Sequence, residues 1–214
     1  MARITIIGGH GKVALLLAPL LVEAGHEVTS IIRNPDHEQD VARTGATAVV
    51  ADVAASDIDA ITELLADSDA VVWSAGAGGG SPERTYAVDR DAAIRSIDAA
   101  VAAEARRYVM VSYFGAGPDH GVDPSDGFYA YAEAKAAADA HLRDADLDWT
   151  ILAPSALTLD EPTGRIDVHA QEGASVSRAD VAAVIAAALA EPATIGRTVS
   201  FNSGDVPITD ALRG

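Results

Sequence analysis

The N-terminal segment constrains the fold of this chain more than any other. A strand-like run, Arg3–Ile7, passes directly into a glycine turn, Gly8-Gly9-His10-Gly11, and then into an apolar helical stretch that opens with Lys12-Val13-Ala14. Gly8 can adopt backbone angles that other residues avoid, and Gly11 lets the main chain approach an anion with no side chain in the way. The free N–H groups at the start of the helix would point at that anion. Residues 8–13 therefore predict a dinucleotide phosphate site; the alternative is a tight strand–helix turn in another kind of α/β protein.

Strand-like and helical segments alternate along most of the chain. Six strands are predicted, at Ile4–Ile7, Glu27–Ile32, Ala46–Val50, Ala70–Trp73, Tyr108–Val111 and Trp149–Leu152. The helices expected between them include one that ends near Ala24 and is kinked at Pro19, Ser56–Ala66 with Ser56 as N-cap, Arg84–Ala105 and Phe128–Arg143. This order predicts an α/β fold of the Rossmann type, a doubly wound parallel sheet with helices on both faces.

The whole chain, residues 1–214, is expected to form one domain, because its length suits a single core and no linker stands out. Residues from about 154 to 214 are too few for an independent domain and are expected to form a small cap on the substrate side. Within them, Ser177-x-x-Asp180 resembles a capping box and predicts a helix start rather than a site.

Charge and composition exclude several classes of function. The net charge of −17 makes binding to nucleic acid or to an anionic membrane surface unfavourable. With no cysteine, and with six histidines that show no paired spacing, no metal site is predicted. No secretory or membrane-spanning pattern is present, so we expect a cytoplasmic protein, monomeric or homodimeric, with a small-molecule substrate.

The predicted strand ends carry further candidate cofactor residues, because ligands of such sheets bind at the carboxyl ends of the strands. After the second strand, Arg33-Asn34 stands where an NAD enzyme usually has a ribose-binding acid. Arg33 could pair with a 2′-phosphate, and the alternative is an ordinary solvated arginine before a turn. After the third, Asp52-Val53 could hold adenine, although a turn aspartate is the alternative. After the fourth, Ser74-Ala75-Gly76 offers small residues where a dinucleotide would cross the sheet, with a ligand-free loop as the alternative.

Three residues could carry out chemistry. Tyr131 and Lys135 are four apart on a predicted helix, so both can face one pocket. A nearby ammonium would lower the tyrosine pKa and make Tyr131 a proton donor or acceptor, and Ser112, at the end of the fifth strand, could bind the substrate oxygen. The alternative is a surface Tyr–Lys pair; Glu133 and Asp139 on the same helix are expected to be solvated.

Taken together, these motifs resemble those of the atypical short-chain dehydrogenase/reductase family of NAD(P)H-binding proteins. The resemblance covers essentially the whole chain and includes the glycine turn, Arg33, Asp52, Tyr131-x-x-x-Lys135, and the runs 147–154 and 177–182. It implies NADP(H), preferred over NAD(H), as the cofactor, with the backbone of Pro154, Ser155 and Ala156 near the nicotinamide. Lys135 is a further candidate cofactor residue. Two departures, Ala153 where relatives often have arginine and Tyr113 where they often have serine, leave the substrate open.

Three functions follow from this reading. The first is an NADP(H)-dependent oxidoreductase that reduces a small carbonyl, quinone or flavin-like acceptor by hydride transfer. The second is a non-catalytic redox sensor that reports the NADP(H) state, since the family contains members without turnover. The third, ranked lowest, is an enzyme similar to sugar-nucleotide epimerases, for which the short C-terminal portion leaves little room.

Overall fold

A computed structural model of the chain describes residues 1–79 and 81–214. Its helices and strands, in chain order, are β1 Arg3–Ile7, α1 Ala14–Glu23, β2 Glu27–Ile32, α2 Glu38–Ala42, β3 Thr47–Val50, α3 Ile58–Leu65, β4 Ala70–Trp73, α4 Pro82–Thr85, α5 Ala93–Ala102, β5 Arg107–Val111, α6 Tyr129–Asp144, β6 Asp148–Pro154, β7 Ala156–Thr158, β8 Arg165–Asp167, β9 Ser175–Ser177, α7 Arg178–Ala190, β10 Arg197–Ser203, β11 Val206–Pro207 and α8 Ile208–Arg213.

The main sheet confirms the predicted Rossmann-type α/β fold. Its strand order is β11-β8-β10-β6-β5-β4-β1-β2-β3, in which the run from β10 to β3 is parallel and β8 and β11 add a short antiparallel edge. The order reverses between β1 and β4, so the connections that leave these strands diverge and open a crevice at their carboxyl ends.

Two hydrophobic cores cover the two faces of the sheet. Alternate strand residues point to opposite faces, so Ile6 belongs to one core and Ile7 to the other. Helices α1, α7 and α8 pack on the first face, and α3, α5 and α6 on the second. No helix in the described ranges is long and apolar enough to cross a membrane.

The six predicted strands are all present, but the count of six is wrong for the complete sheet. The C-terminal portion supplies a further parallel strand, β10, which pairs with β6, and the edge strands β8 and β11. A separate pair, β7 and β9, lies outside the main sheet. Short strands of three residues or fewer carry too little periodicity to be recognised in a sequence.

Local signals explain most helix ends. Helix α1 ends near Ala24 as predicted and is followed by Gly25, with φ of +83°. Ser177 accepts a hydrogen bond from the Asp180 N–H at the start of α7. The predicted N-cap of α3 is wrong: Asp57, not Ser56, accepts the hydrogen bond from the Ala60 N–H. Asp and Ser are about equally good N-caps, so adjacent candidates are not separated by residue preference.

The predicted long helix from Arg84 to Ala105 is interrupted by a π-helical segment. Residues Tyr86–Ala92, between α4 and α5, have π-helical hydrogen bonding, and Asp89 within this segment is buried. Such segments insert an extra residue into a helical turn and occur frequently at functional sites.

Candidate cofactor cleft and active site

A cavity of about 340 Å³ lies over the carboxyl ends of β1 to β4. Ten of the predicted cofactor residues line it: Gly8, His10, Gly11, Arg33, Asn34, Asp52, Val53, Ser74, Ala75 and Gly76. Their convergence from four successive strand ends is the arrangement that the sequence predicts for a dinucleotide.

The glycine turn forms one wall of this cleft through close backbone contacts. Gly8 has φ of +86°, and a Cβ built on it would lie 2.6 Å from the backbone of Ala75. A Cβ on Gly11 would lie 3.1 Å from the carbonyl oxygen of Gly8. Glycine at positions 8 and 11 therefore allows a tight turn with no side chain at either position, which suits the approach of a diphosphate.

Cationic and aromatic side chains form part of the cleft lining. Arg33 and Arg84 line it, are exposed, and form no ion pair within the described part of the chain. The rings of His10 and His37 stack with centroids 3.5 Å apart, and His10 Nε2 lies 3.1 Å from a carboxylate oxygen of Asp40. In a chain of net charge −17, these groups provide local donors for an anionic ligand.

Asn34 and Asp52 also have structural roles at the cleft. The Asn34 side chain accepts a hydrogen bond from the Asp36 N–H and caps the short 3₁₀ turn that follows β2. Asp52 Oδ1 accepts from the Ala54 N–H at 3.1 Å, which is the turn role weighed as the alternative to adenine binding. Adenine recognition by Asp52 stays a prediction.

Several predicted cofactor residues lie outside this cleft. Gly9 packs against Ser30, Lys12 is exposed at the surface, and Val13 is buried in the first core. Pro154, Ser155 and Ala156 line a second cavity. The roles of Lys12 and Val13 toward a cofactor stay predictions.

The second cavity, of about 580 Å³, lies at the ends of β5 and β6, and β5 is the strand next to β4. Tyr113, Phe128 and Tyr131 form an aromatic cluster in its lining, with ring centroids 5.1 to 5.5 Å apart. The apolar remainder includes Leu157 and Pro154. A cavity of this kind suits a flat, largely apolar ligand.

The structure buries Lys135 and directs its Nζ to groups other than the Tyr131 hydroxyl. Lys135 is 1% exposed, and its Nζ donates to the Val111 carbonyl oxygen at 2.8 Å and to the Met110 sulfur at 3.3 Å. Burial lowers the pKa of Lys135, while the charges of Asp139 and Asp89 oppose that shift.

The pKa of Tyr131 moves in the opposite direction to the one expected. Burial is the main cause that raises it, and the negative charges of Asp89 and Asp139 raise it further. Tyr131 is therefore held as a neutral phenol, able to donate a hydrogen bond or a proton but poorly disposed to ionise by itself.

Asp139 is buried, so the expectation that it is solvated is wrong. It is 1% exposed and accepts a hydrogen bond from the Ser112 hydroxyl, with 2.5 Å between Oγ and Oδ2. Burial raises its pKa, and Lys135 and the Ser112 hydrogen bond act against that shift. Glu133, in contrast, is partly exposed and pairs with His120.

Sequence reasoning also missed Asp89, a buried carboxylate at the first cleft. Asp89 accepts a hydrogen bond from the Ala77 N–H at 3.0 Å and so holds the glycine-rich loop after β4. A Cβ on Gly76 would lie 3.2 Å from this carboxylate. The sequence predicts a binding loop over the glycine-rich stretch from Ala75 to Pro82, and Gly80 within that stretch lies outside the described residues. The π-helical segment that buries Asp89 gives no periodicity signal by which it could have been found.

A parallel sheet with this strand order, a glycine turn after β1 and a cleft over the carboxyl ends is the arrangement of a dinucleotide-binding Rossmann fold. The chain belongs to the NAD(P)H-binding family, whose model matches residues 8–192. This confirms the family resemblance drawn from the motifs.

Named relatives support the same assignment. The chain is 30% identical over 214 residues to a Bacillus subtilis protein named uncharacterized sugar epimerase YhfK, with 99% of each covered. It is 29% identical to the oxidoreductase YlbE of Lactococcus lactis, with a TM-score of 0.87 and coverage of 98% of this chain and 94% of that one. It is 25% identical to ChuY, an anaerobillin reductase of Escherichia coli O157:H7, with a TM-score of 0.78 and coverage of 95% of this chain and 98% of that one.

Proposed function

We propose that this protein is an NADP(H)-dependent oxidoreductase that reduces a small carbonyl, quinone or flavin-like acceptor. The observation that carries the proposal is the pair of neighbouring cavities: a glycine-walled cleft at β1 to β4 and an aromatic cavity at β5 and β6. The names of YlbE, an oxidoreductase, and ChuY, a reductase, support the same class of reaction.

The chain's own residues divide the work between the two cavities. Residues 8–11 would hold the diphosphate, and Arg33 would pair with a 2′-phosphate. The bound cofactor supplies a hydride. Tyr131, kept neutral by its burial, would hydrogen-bond the acceptor oxygen and deliver the proton that balances the reduction. Phe128 and Tyr113 would keep water from the acceptor.

The cofactor assignment is tested by titrating the purified protein with NADPH and with NADH while nucleotide fluorescence is followed. We expect NADPH to bind more tightly, and Arg33→Ala to weaken NADPH roughly tenfold to a hundredfold while sparing NADH. Arg106→Ala, at an exposed arginine remote from the cleft, is the control. Tighter binding of NADH, or an unchanged preference in Arg33→Ala, would contradict the NADP(H) assignment.

The role of Tyr131 is tested with Tyr131→Phe in an assay of NADPH oxidation with a quinone such as menadione. We expect turnover to fall roughly a hundredfold or more with unchanged NADPH binding. Tyr129→Phe is the matched control, because Tyr129 lies on the same helix and outside the cavity lining. Full turnover by Tyr131→Phe would reject acid catalysis by this tyrosine; a flavin acceptor need not depend on it.

A redox sensor is the second candidate, and the position of Lys135 favours it. Lys135 donates to the Val111 backbone and to Met110, and the structure shows no phenolate-stabilising contact from it to Tyr131. A sensor must bind NADPH and NADP⁺ with different affinities, because only differential affinity shifts a conformational equilibrium. Equal affinities together with an unchanged protease digestion pattern would exclude this candidate. The name of YhfK keeps epimerase chemistry as a third and lower-ranked alternative.

A further inference from the structure

The direction of one hydrogen bond limits what the aromatic cavity can recognise. Ser112 lines this cavity and donates its hydroxyl hydrogen to the buried Asp139. A serine hydroxyl has one hydrogen and two lone pairs. While that hydrogen is held by Asp139, Ser112 cannot donate to a substrate carbonyl, so the role predicted for it is replaced by the opposite one. Toward the cavity Ser112 can only accept.

Asp139 is available for this bond because its neighbour is engaged elsewhere. Lys135, one turn earlier on α6, directs its Nζ to the Val111 carbonyl oxygen and the Met110 sulfur. Asp139 Oδ1 has no hydrogen-bond partner among the described residues. The Ser112 hydroxyl is thus the side-chain donor that satisfies this carboxylate, and the carboxylate in turn fixes the orientation of the hydroxyl.

The two tyrosines of the cavity have the complementary polarity. The Tyr113 hydroxyl is buried and has no hydrogen-bond partner within the residues described. Burial raises the pKa of Tyr113 and of Tyr131, so both remain protonated donors at neutral pH. The cavity lining therefore holds a phenolic donor, Tyr131, and a serine acceptor, Ser112, among mostly apolar residues.

We propose that this cavity selects an acceptor molecule that carries an N–H or O–H next to its carbonyl group, as in a lactam, an imide or an α-hydroxyketone. Tyr131 donates to the carbonyl oxygen, and Ser112 accepts from the neighbouring N–H or O–H. Asp139 is a positioning residue that acts through Ser112. This inference rests on the proposed function, of which it names the substrate class.

Two flavin probes that differ at one hydrogen test the inference. Riboflavin has an imide N–H between two carbonyl groups, and 3-methylriboflavin has a methyl group in place of that hydrogen. Each is titrated by flavin fluorescence into protein saturated with NADP⁺. We expect riboflavin to bind about tenfold more tightly, the equivalent of one hydrogen bond.

Variants separate polarity from shape. Ser112→Ala should bring the affinity ratio of the probes close to one. Asp139→Ala frees the Ser112 hydrogen, so Ser112 can then donate as well as accept, and the ratio should fall only in part. Adding Asp139→Ala to Ser112→Ala should change the ratio no further. Ser125→Ala is the control, because Ser125 is an exposed serine outside the lining of both cavities, so the ratio should persist.

Equal binding of the two probes by the unmodified protein, or binding of neither, would overturn the inference. A preference that survives in Ser112→Ala would overturn it as well. NADPH titration without flavin reports on the proposed function separately. If NADPH binds normally and the two flavins bind equally, the inference about the substrate is wrong but the proposed function stands. If NADPH does not bind, both the inference and the proposed function are wrong.

Discussion

The contact between Gly8 and Ala75 predicts that Gly8→Ala is strongly destabilising. Alanine at φ of +86° costs about 1–2 kcal/mol in the left-handed region. The added Cβ would lie 2.6 Å from the Ala75 backbone, and overpacking of this kind costs about 1–3 kcal/mol more. The two contributions together give about 2–5 kcal/mol, a large part of the stability of a typical domain.

Gly25→Ala is the matched control for this prediction. Gly25 has φ of +83°, and a Cβ there would meet no described atom within 4 Å. Gly25→Ala is therefore destabilised only by the left-handed backbone conformation. Urea unfolding of both variants should place Gly8→Ala about 1–3 kcal/mol below Gly25→Ala. NADPH affinity should fall only in Gly8→Ala, since relief of the contact displaces Ala75 in the cleft. Equal loss of stability in the two variants would refute the close-approach argument.

Three further changes have defined outcomes. Asp57→Ala should lower the free energy of unfolding by about 1 kcal/mol through loss of the α3 N-cap, and Ser56→Ala should be nearly neutral. A larger loss of stability in Ser56→Ala than in Asp57→Ala, measured by urea unfolding, would show that Ser56 is the cap. Arg107→Met should cost about 3 kcal/mol, because its guanidinium donates to four acceptors, among them the Ala188 carbonyl oxygen at the end of α7; a loss below about 0.5 kcal/mol would show that these bonds contribute little. For Asp139→Asn the test is pH. Burial raises the pKa of Asp139 above its ordinary 3.8, so the folded protein binds more protons than the unfolded chain between 3.8 and the raised value. The stability of the unmodified protein relative to Asp139→Asn should therefore fall as the pH rises through this window and level off above it; a rising or flat difference would contradict the burial argument.

The sequence predicted the fold where the pattern extends over many residues. Apolar strands, glycine turns and helices alternate as far as Trp149, and the sheet follows that order. Elements of the fold were not predicted where a strand was very short or where two neighbouring residues were equally good candidates for the same role. Strands β7 to β9 have three residues each, and the choice between Ser56 and Asp57 depended on geometry that residue preference does not determine.

For the candidate site, residues at strand ends were predictable and buried side chains were not. Arg33 and Asp52 lie in the cleft because position along a parallel strand decides which edge of the sheet a residue reaches. Asp139 was assigned to solvent because a charged residue on an alanine-rich helix is usually exposed. Its burial depends on Ser112 and Lys135, which are brought to it by the tertiary fold.

The π-helical segment at Tyr86–Ala92 determines how α4 is rotated about the helix axis relative to α5. An α-helix turns about 100° per residue, so the extra residue in this segment rotates α4 relative to α5 by about that angle. Val88 and Arg84 consequently face the cleft while Ile97 faces the second core. The number of residues in this segment therefore matters as much as their identity. Deletion of one residue would convert the segment to α-helix and turn the Asp89 carboxylate away from the Ala77 N–H, although no side chain at the site had been replaced.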